Sequence, residues 1–448
     1  MARFDYRQAR EALYSLQRFG VKLGLTNVSA LLERLGFPQD SFLSCHIAGT
    51  NGKGTCASVC DAVLRAHRVR TGLYTSPHLK SFTERIKCDG EPVPRDYVAG
   101  WVSDHLDYIT EHRVTFFEAV TALAFDYFRC LGVQAAAVEA GLGGRFDATN
   151  VLSRMGLAVI TSIGLDHTRY LGSTLANIAH EKAGIIKPGA PTILGDRKQR
   201  VIEVIASVAK DAGSPLLALD NEVSLKPVRR GAGEEESHEC GLVFNYRSSG
   251  LRLERARVSL AGSHQMRNVG LGIRAAELIL SKLGLSPEEG PTRSALENLR
   301  WPARFQRLKL ETGMELILDV AHNPSAAGRL AHVFRRCYGP YARAVALVAL
   351  AQDKDYASFL NHLLKIADVF IFPTVDFGRA DIPRDGTEPR GMIDYVRSRS
   401  HGVKTVAPVG MKEALELAAG LSGGRLPVIV TGSFRTVGEV MQVLNIET

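Results

Sequence analysis

The segment GTNGKGT, residues 49–55, sets three glycines, two threonines and a lysine between an apolar run, 42–48, and a stretch of helical pattern that begins near Lys53. Small residues let backbone N–H groups close around an anion, and a helix start adds the positive end of its dipole. Lys53 then supplies a point charge for terminal phosphates. This chemistry is nucleotide binding, first of all ATP, with Thr50, Asn51, Gly52, Lys53, Gly54 and Thr55 as the contacts. The spacing departs from the common GxxxxGK[ST] loop. No glycine lies five residues before Gly52, and Gly54 separates Lys53 from the hydroxyl of Thr55.

Other polar residues fall where apolar runs end. Glu139 follows AAAV and precedes the Gly-rich GLGGRFDATN; its carboxylate suits a magnesium ion held by nucleotide phosphates, or equally a cap on the next turn. Ser76, in YTSPHL, offers a hydroxyl to a metal shell, although Ser-Pro is also ordinary turn chemistry. Asp166 and His167 follow LAVITSIG, where a lone histidine is more often structural than a ligand. Lys182, in IAHEKAGIIKPG, reads by composition as a solvated helix lysine. Further on, Asp319 closes ELILD, with His322 and Asn323 before Pro324. Arg304, in ARFQ, is placed to clamp phosphate across a cleft or to form a structural ion pair.

The elements that must position these residues alternate short Val/Ile/Leu-rich runs with amphipathic stretches, the pattern of a largely parallel sheet flanked by helices. Strands are expected at 42–48, 70–75, 135–140, 157–161 and 191–194, and helices at 6–19, 28–35, 96–112, 117–131 and 266–283. The stretch 227–250, with RRGAGEEESHEC, reads as a surface excursion inside a small antiparallel region. A turn-rich segment, 284–304, leads into further strands at 316–320, 344–350, 369–372 and 427–431. The fold class is therefore α/β: an N-terminal P-loop ATPase domain, 1–300, with a mostly parallel sheet, and a smaller Rossmann-like C-terminal α/β domain, 301–448. In such sheets ligands collect at the carboxyl ends of the strands, where the polar residues above lie.

With 448 residues, 45% hydrophobic and 23% charged, the chain is long enough for two domains and has the composition of a soluble globular protein. It has no apolar run of membrane-spanning length and no signal-peptide core at its start, so a cytoplasmic protein is expected. Seven scattered cysteines fit reduced thiols, and Cys56 and Cys60 fit ordinary packing. The net charge of +8 is not gathered into a stripe with aromatics, which speaks against nucleic acid and leaves small polyanions as ligands.

Thirteen segments in order resemble the folylpolyglutamate synthase and dihydrofolate synthase family, a branch of the Mur-type ATP-dependent amide ligases. They are LGLTNV (23–28), GTNGKGT, TSPHL (75–79), TERI (83–86), TFFE (115–118), EAGLGGRFDATN (139–150), TSIGLDHTRYLG (161–172), IAHEKAGIIKPG (178–189), HQMRN (264–268), ARFQ, DVAHNP (319–324), QDKD (352–355) and TGSFRTVGEV (431–440). The resemblance implies that ATP phosphorylates a carboxylate and that glutamate's amine attacks the acyl phosphate. It implies Lys53, Lys182 and His167 as catalytic residues, and Ser76, Glu139, His167 and Lys182 as ligands of two Mg²⁺ ions, with Thr55 as a further donor. Lys182 is expected to be carbamylated by CO₂, which makes it an anionic metal ligand. Asn268, Arg304 and Asp319 are expected on the nucleotide. Thr115, Phe116, Phe117, Glu118, Phe146, Asp147 and Ala148 are expected to line a pocket for dihydropteroate. Folates, L-glutamate and ATP complete the implied partners, and a monomer is favoured. Phe146 replaces the family's usual Leu, and Ala140 its usual Val. The alternatives are a relative with one activity only, a Mur-type ligase of cell-wall precursors, a conformational P-loop ATPase, and an inactive scaffold.

Overall fold

A computed structural model of the chain describes residues 3–20, 24–228, 240–377, 386–400 and 402–447. Eight strands form the first sheet: β1 (Leu43–Ala48), β2 (Thr71–Tyr74), β3 (Ile86–Cys88), β4 (Glu91–Pro92), β5 (Ala135–Glu139), β6 (Met155–Ile160), β7 (Thr192–Leu194) and β8 (Leu216–Ala218). Their order is β4-β3-β2-β5-β1-β6-β7-β8. The six strands from β2 to β8 run parallel, and only β3 and β4 at one edge are antiparallel. Strand β1 lies in the middle, between β5 and β6, so the turns that leave all three open side by side.

Behind this sheet the helix Lys53–Ala66 is buried at every residue from Gly54 to Leu64. It packs against the helix Ser263–Lys282 so closely that a Cβ on Gly272 would stand 2.6 Å from Val59 Cβ and 2.8 Å from the Cys56 carbonyl oxygen. This contact fixes the helix that follows the glycine-rich turn. A second, antiparallel sheet of β9 (Ser224–Pro227), β10 (Gly241–Arg247) and β11 (Arg252–Ala261) precedes the long helix. It supplies the expected antiparallel region, while residues 229–239 of the expected excursion, 227–250, lie outside the described residues.

The third sheet begins at β12 (Gln306–Lys309) and continues with β13 (Glu315–Leu318), β14 (Ala344–Val348), β15 (Ala367–Ile371), β16 (Lys404–Val406) and β17 (Val428–Thr431). Its order is β12-β13-β17-β14-β15-β16, parallel except for β12. Among the described residues no helix is long and apolar enough to cross a membrane.

Two expectations fail here. The segment 284–304 is not turn throughout, because Glu289–Glu297 forms a helix. Its Pro291 lies in the first turn, where proline is tolerated, and Thr292, Ala295 and Leu296 make a buried stripe at helical spacing. The thiols are not all reduced either: Cys240, just before β10, is bonded to Cys337 at the end of the helix Pro324–Tyr338, with Cα atoms 5.8 Å apart and 97 residues between them in sequence. Cys45, Cys56, Cys60, Cys88 and Cys130 are free.

The close helix pair gives a paired test. Gly272→Ala should cost about 1–3 kcal/mol through overpacking and lower the denaturation midpoint. Gly100→Ala, at a helical site with nothing within 4 Å of the new Cβ, should leave that midpoint unchanged or raise it. Equal behaviour of the two variants in urea unfolding followed by circular dichroism would contradict this picture of the core.

Candidate functional site

The turn after β1 is shaped by contacts that exclude side chains. Gly49 has φ 153° and Gly52 φ 94°. A Cβ at Gly49 would overlap the Thr161 hydroxyl, and one at Gly52 would overlap the Asn268 amide. Asn268 is thereby placed against the turn, its Nδ2 donating to Gln265 Oε1 at 3.0 Å. Thr50 is committed to the neighbouring turn: its N–H donates to the Ser162 carbonyl at 2.7 Å, and its hydroxyl bonds Gly164. The Asn51 carbonyl accepts from the hydroxyls of Thr161 and Ser162, each at 3.0 Å. Thr50 and Asn51 therefore brace the loop, and the Lys53 helix start faces the cavity with its first N–H groups.

Around this cradle the strand ends bring charges together. Lys53 Nζ lies 3.6 Å from Glu139 Oε1, and Glu139 Oε2 accepts the Ser76 N–H at 3.2 Å. Burial raises the Glu139 pKa and the Lys53 charge opposes that rise. Lys182 is 5% exposed, not a solvated helix lysine, and its Nζ donates to the Gly49 carbonyl at 2.8 Å. Burial, and then repulsion from Lys53, pushes its pKa down to about 7, so an appreciable share of the amine is neutral near neutral pH. His167 follows β6 with φ 50° and a side chain 41% exposed at the same opening.

The third sheet closes the cavity from the opposite side. Asp319, directly after β13, accepts the N–H groups of Phe305 and Ala321, each at 2.9 Å. Ala303 and Phe305 both have positive φ, 57° and 52°, and the backbone between them presents Arg304 over the ring of Phe434 at 5.2 Å. Desolvation lowers the Arg304 pKa, while the charges of Asp319 and Glu139 hold it up. One cavity of about 190 Å³ is lined by residues 49–55, Ser76, Glu139, His167, Lys182, Asn268, Arg304 and Asp319. Ala261, Leu330, Val333 and Phe434 give it an apolar wall suited to a flat heterocycle.

Whether these residues fit a metal turns on one atom. Among the described residues no three His, Cys, Asp or Glu side chains form a ready-made cage. The buried Thr55 hydroxyl, however, has no hydrogen-bond partner among them. With Ser76, Glu139 and His167 on the same cavity it makes a sparse oxygen-rich set. That set fits magnesium, which keeps waters and phosphate oxygens in its shell and needs few protein ligands.

The candidates for the pterin pocket lie elsewhere, and none lines this cavity. Thr115 and Glu118 form a capping box on the helix Phe116–Cys130: Thr115 N–H donates to Glu118 Oε2 at 2.7 Å, and Glu118 N–H to Thr115 Oγ1 at 3.4 Å. Phe116 packs against Tyr14 and Phe82, with ring centroids at 5.5 and 6.3 Å. Phe117 sits under Gly141, which does line the cavity, so the two regions adjoin. Asp147 accepts the Leu142 N–H at 2.7 Å and caps the turn at Ala148, which is buried, while Phe146 is 38% exposed.

A group with no assigned role in the sequence reading also converges. Asp166 meets His322, Asn323 and Lys354, which stand at the ends of β13 and β14. The positions of these residues after expected strands were the available signal; their meeting was not. A second cavity of about 870 Å³ opens beside them, lined also by Arg169, Lys198 and Ser358.

Residues 47–276 match the Mur ligase middle domain, and residues 303–434 match the Mur ligase glutamate ligase domain. The dihydrofolate synthase/folylpolyglutamate synthase of Bacillus subtilis is 34% identical over 424 residues, covering 90% of this chain and 96% of that protein. The folylpolyglutamate synthase of Lacticaseibacillus casei is 30% identical, covering 98% and 99%. Among solved structures, Mycobacterium tuberculosis folylpolyglutamate synthase complexed with ADP has a TM-score of 0.85 at 29% identity, covering 99% of this chain and 100% of that one. E. coli FolC in complex with DHPP and ADP has a TM-score of 0.80 at 28% identity, covering 97% and 96%. The chain therefore belongs to the dihydrofolate synthase/folylpolyglutamate synthase family of Mur-type ligases.

Proposed function

We propose that this ATP-dependent carbon–nitrogen ligase, which adds glutamate to folates, also accepts dihydropteroate, and that its chemistry takes place in the cavity between the first and third sheets. The observation that carries the reading is the meeting of the 49–55 turn, Glu139 and Lys182 on one side with Arg304 and Asp319 on the other. The two sides correspond to the domains 1–300 and 301–448, which close on the nucleotide as one monomer in the cytoplasm.

A carboxylate is a poor acyl donor because its leaving group is oxide, whereas phosphate leaves readily from a mixed anhydride. The first transfer places a carboxylate against a triphosphate, and the chain's task is to hold two anions together. Lys53 and the first N–H groups of its helix bind the terminal phosphates. Arg304 adds a cation from the opposite side, and Asp319 holds the backbone just after Arg304 in place through the Phe305 N–H while bracing its own turn at Ala321. Asn268, packed against Gly52, holds the turn that receives the phosphates.

Ser76, Glu139, His167 and Thr55 would hold magnesium, with Lys182 as its carbamate at a second ion. Magnesium bound there offsets repulsion between the anions and stabilises charge developing in transfer. The carbamate forms when the neutral amine attacks CO₂ and releases a proton, and burial beside Lys53 favours that neutral amine. Conversion to an anion also relieves the two lysines of their mutual repulsion. Phe116, Phe117 and Phe146 form the aromatic side of the acceptor pocket, and Thr115, Glu118, Asp147 and Ala148 fix its shape through caps and turns.

Purified protein given ATP, Mg²⁺ and glutamate should release ADP in step with product for both dihydropteroate and tetrahydrofolate. ADP release that needs neither glutamate nor acceptor would overturn the ligase reading, and inactivity with dihydropteroate alone would restrict it to folates. Lys53→Ala removes a charge-assisted contact of about 1.5–3 kcal/mol, so calorimetry should show ATP binding weakened about 10- to 100-fold. Lys182→Ala should nearly abolish turnover and leave ADP affinity within a few-fold. Full turnover in that variant, or no ¹³C-carbamate resonance in wild-type protein equilibrated with labelled bicarbonate, would refute the carbamate.

A further inference from the structure

The Asp166 side chain is only 8% exposed, yet it meets three polar groups of the C-terminal half. Lys354 Nζ approaches at 2.8 Å, Asn323 Nδ2 at 3.1 Å and His322 Nε2 at 3.3 Å. Asn323 reaches the nucleotide turn as well, donating to Asn51 Oδ1 at 3.3 Å. On its own side Asp166 belongs to the turn after β6, which is fastened to the cradle through Thr50, Thr161 and Ser162. Asp196, 7% exposed, fastens the same turn by accepting the Ile163 N–H at 2.7 Å. One carboxylate therefore joins a braced turn on the first sheet to the ends of two strands on the third.

We propose that Asp166 is the latch that holds the two halves closed while the acyl phosphate exists, a positioning residue acting through His322, Asn323 and Lys354. The inference rests on the ligase reading above. Breaking a buried pair from one side leaves an uncompensated charge in the closed form. Opening relieves it, because water then reaches both partners, so loss of the latch shifts the open–closed balance and leaves each half folded. The consequence is chemical. In an open cleft water adds to the carbonyl carbon of the acyl phosphate, the bond from that carbon to the phosphate oxygen breaks, and inorganic phosphate and a proton leave with the carboxylate restored. ATP is consumed and no amide forms.

The test is Asp166→Asn, a neutral isostere, with Lys354→Met removing the partner from the opposite side. Each variant should bind ADP within about threefold of wild type, lose at least tenfold in kcat/KM for glutamate, and release more than one ADP per amide formed. The double variant should be no worse than the poorer single one, since both changes break one contact. Small-angle scattering with ATP and acceptor should give both variants a larger radius of gyration than wild type, and Asp166→Glu should restore part of the coupling. One ADP per amide in both single variants, or additive losses in the double, would overturn the latch. Wild-type ADP release independent of glutamate would instead strike at the ligase reading, so the two failures are separable.

Discussion

At Gly49 and Gly52 the chain passes so close to Thr161 and Asn268 that no side chain fits, and the arrangement of the site follows from that approach. Glycine at these two positions lets the turn after β1 touch the turn after β6 on one face and the long helix Ser263–Lys282 on another. Because the turn is held on both faces, the helix Lys53–Ala66 starts in a fixed direction and Lys53 is aimed at a fixed point. Gly272 repeats the device deeper down, keeping the two helices at backbone contact. Gly54, the glycine by which the turn departs from the common P-loop, is hemmed in as well: a Cβ there would stand 2.9 Å from Trp301 Cζ2 and 3.3 Å from Glu139 Oε2.

Onto this rigid floor the chain places charges that are costly to bury. Lys53, Lys182 and Arg304 face Glu139 and Asp319 across one cavity, and burial works against every one of the four whose pKa is displaced. A fold selected only for stability would replace such a set with apolar packing. The same electrostatic frustration makes the cavity ready for a triphosphate, which supplies several negative charges at once. Binding then replaces missing solvation rather than creating a new cost.

Much of this was legible from local pattern. The strands that lead to the cradle, Ser76, Glu139 and Asp319 are short and interior, and in each case the polar residue stands at or just past the end of the run, while His167 follows β6 by seven residues. Partnership was less legible, because it depends on distances between segments far apart in sequence. Thr115 and Glu118 read as pocket residues, yet three-residue spacing also makes a capping box, and that is where their hydrogen bonds go. Lys182 read as solvated because composition carries no information about burial. The helix Glu289–Glu297 was hidden by Gly290 and Pro291, whose turn preference is overruled by packing of Ala295 and Leu296. The edge strands β4, β8, β12 and β16, and β3 beside β4, are too short to show a period.

The bond between Cys240 and Cys337 has a kinematic consequence. The peptide between the helix Glu289–Glu297 and β12 is one attachment between the parts of the chain that carry the cradle and the third sheet, and the cystine is another. Two fixed points define a line. Rigid bodies pinned along a line keep a single rotational freedom about it, so their motion becomes that of a door and the edges meet in the same register at every closing. Cleavage of the cystine would remove one pin and convert that door into a swivel, with several further freedoms to be arrested each time the edges meet.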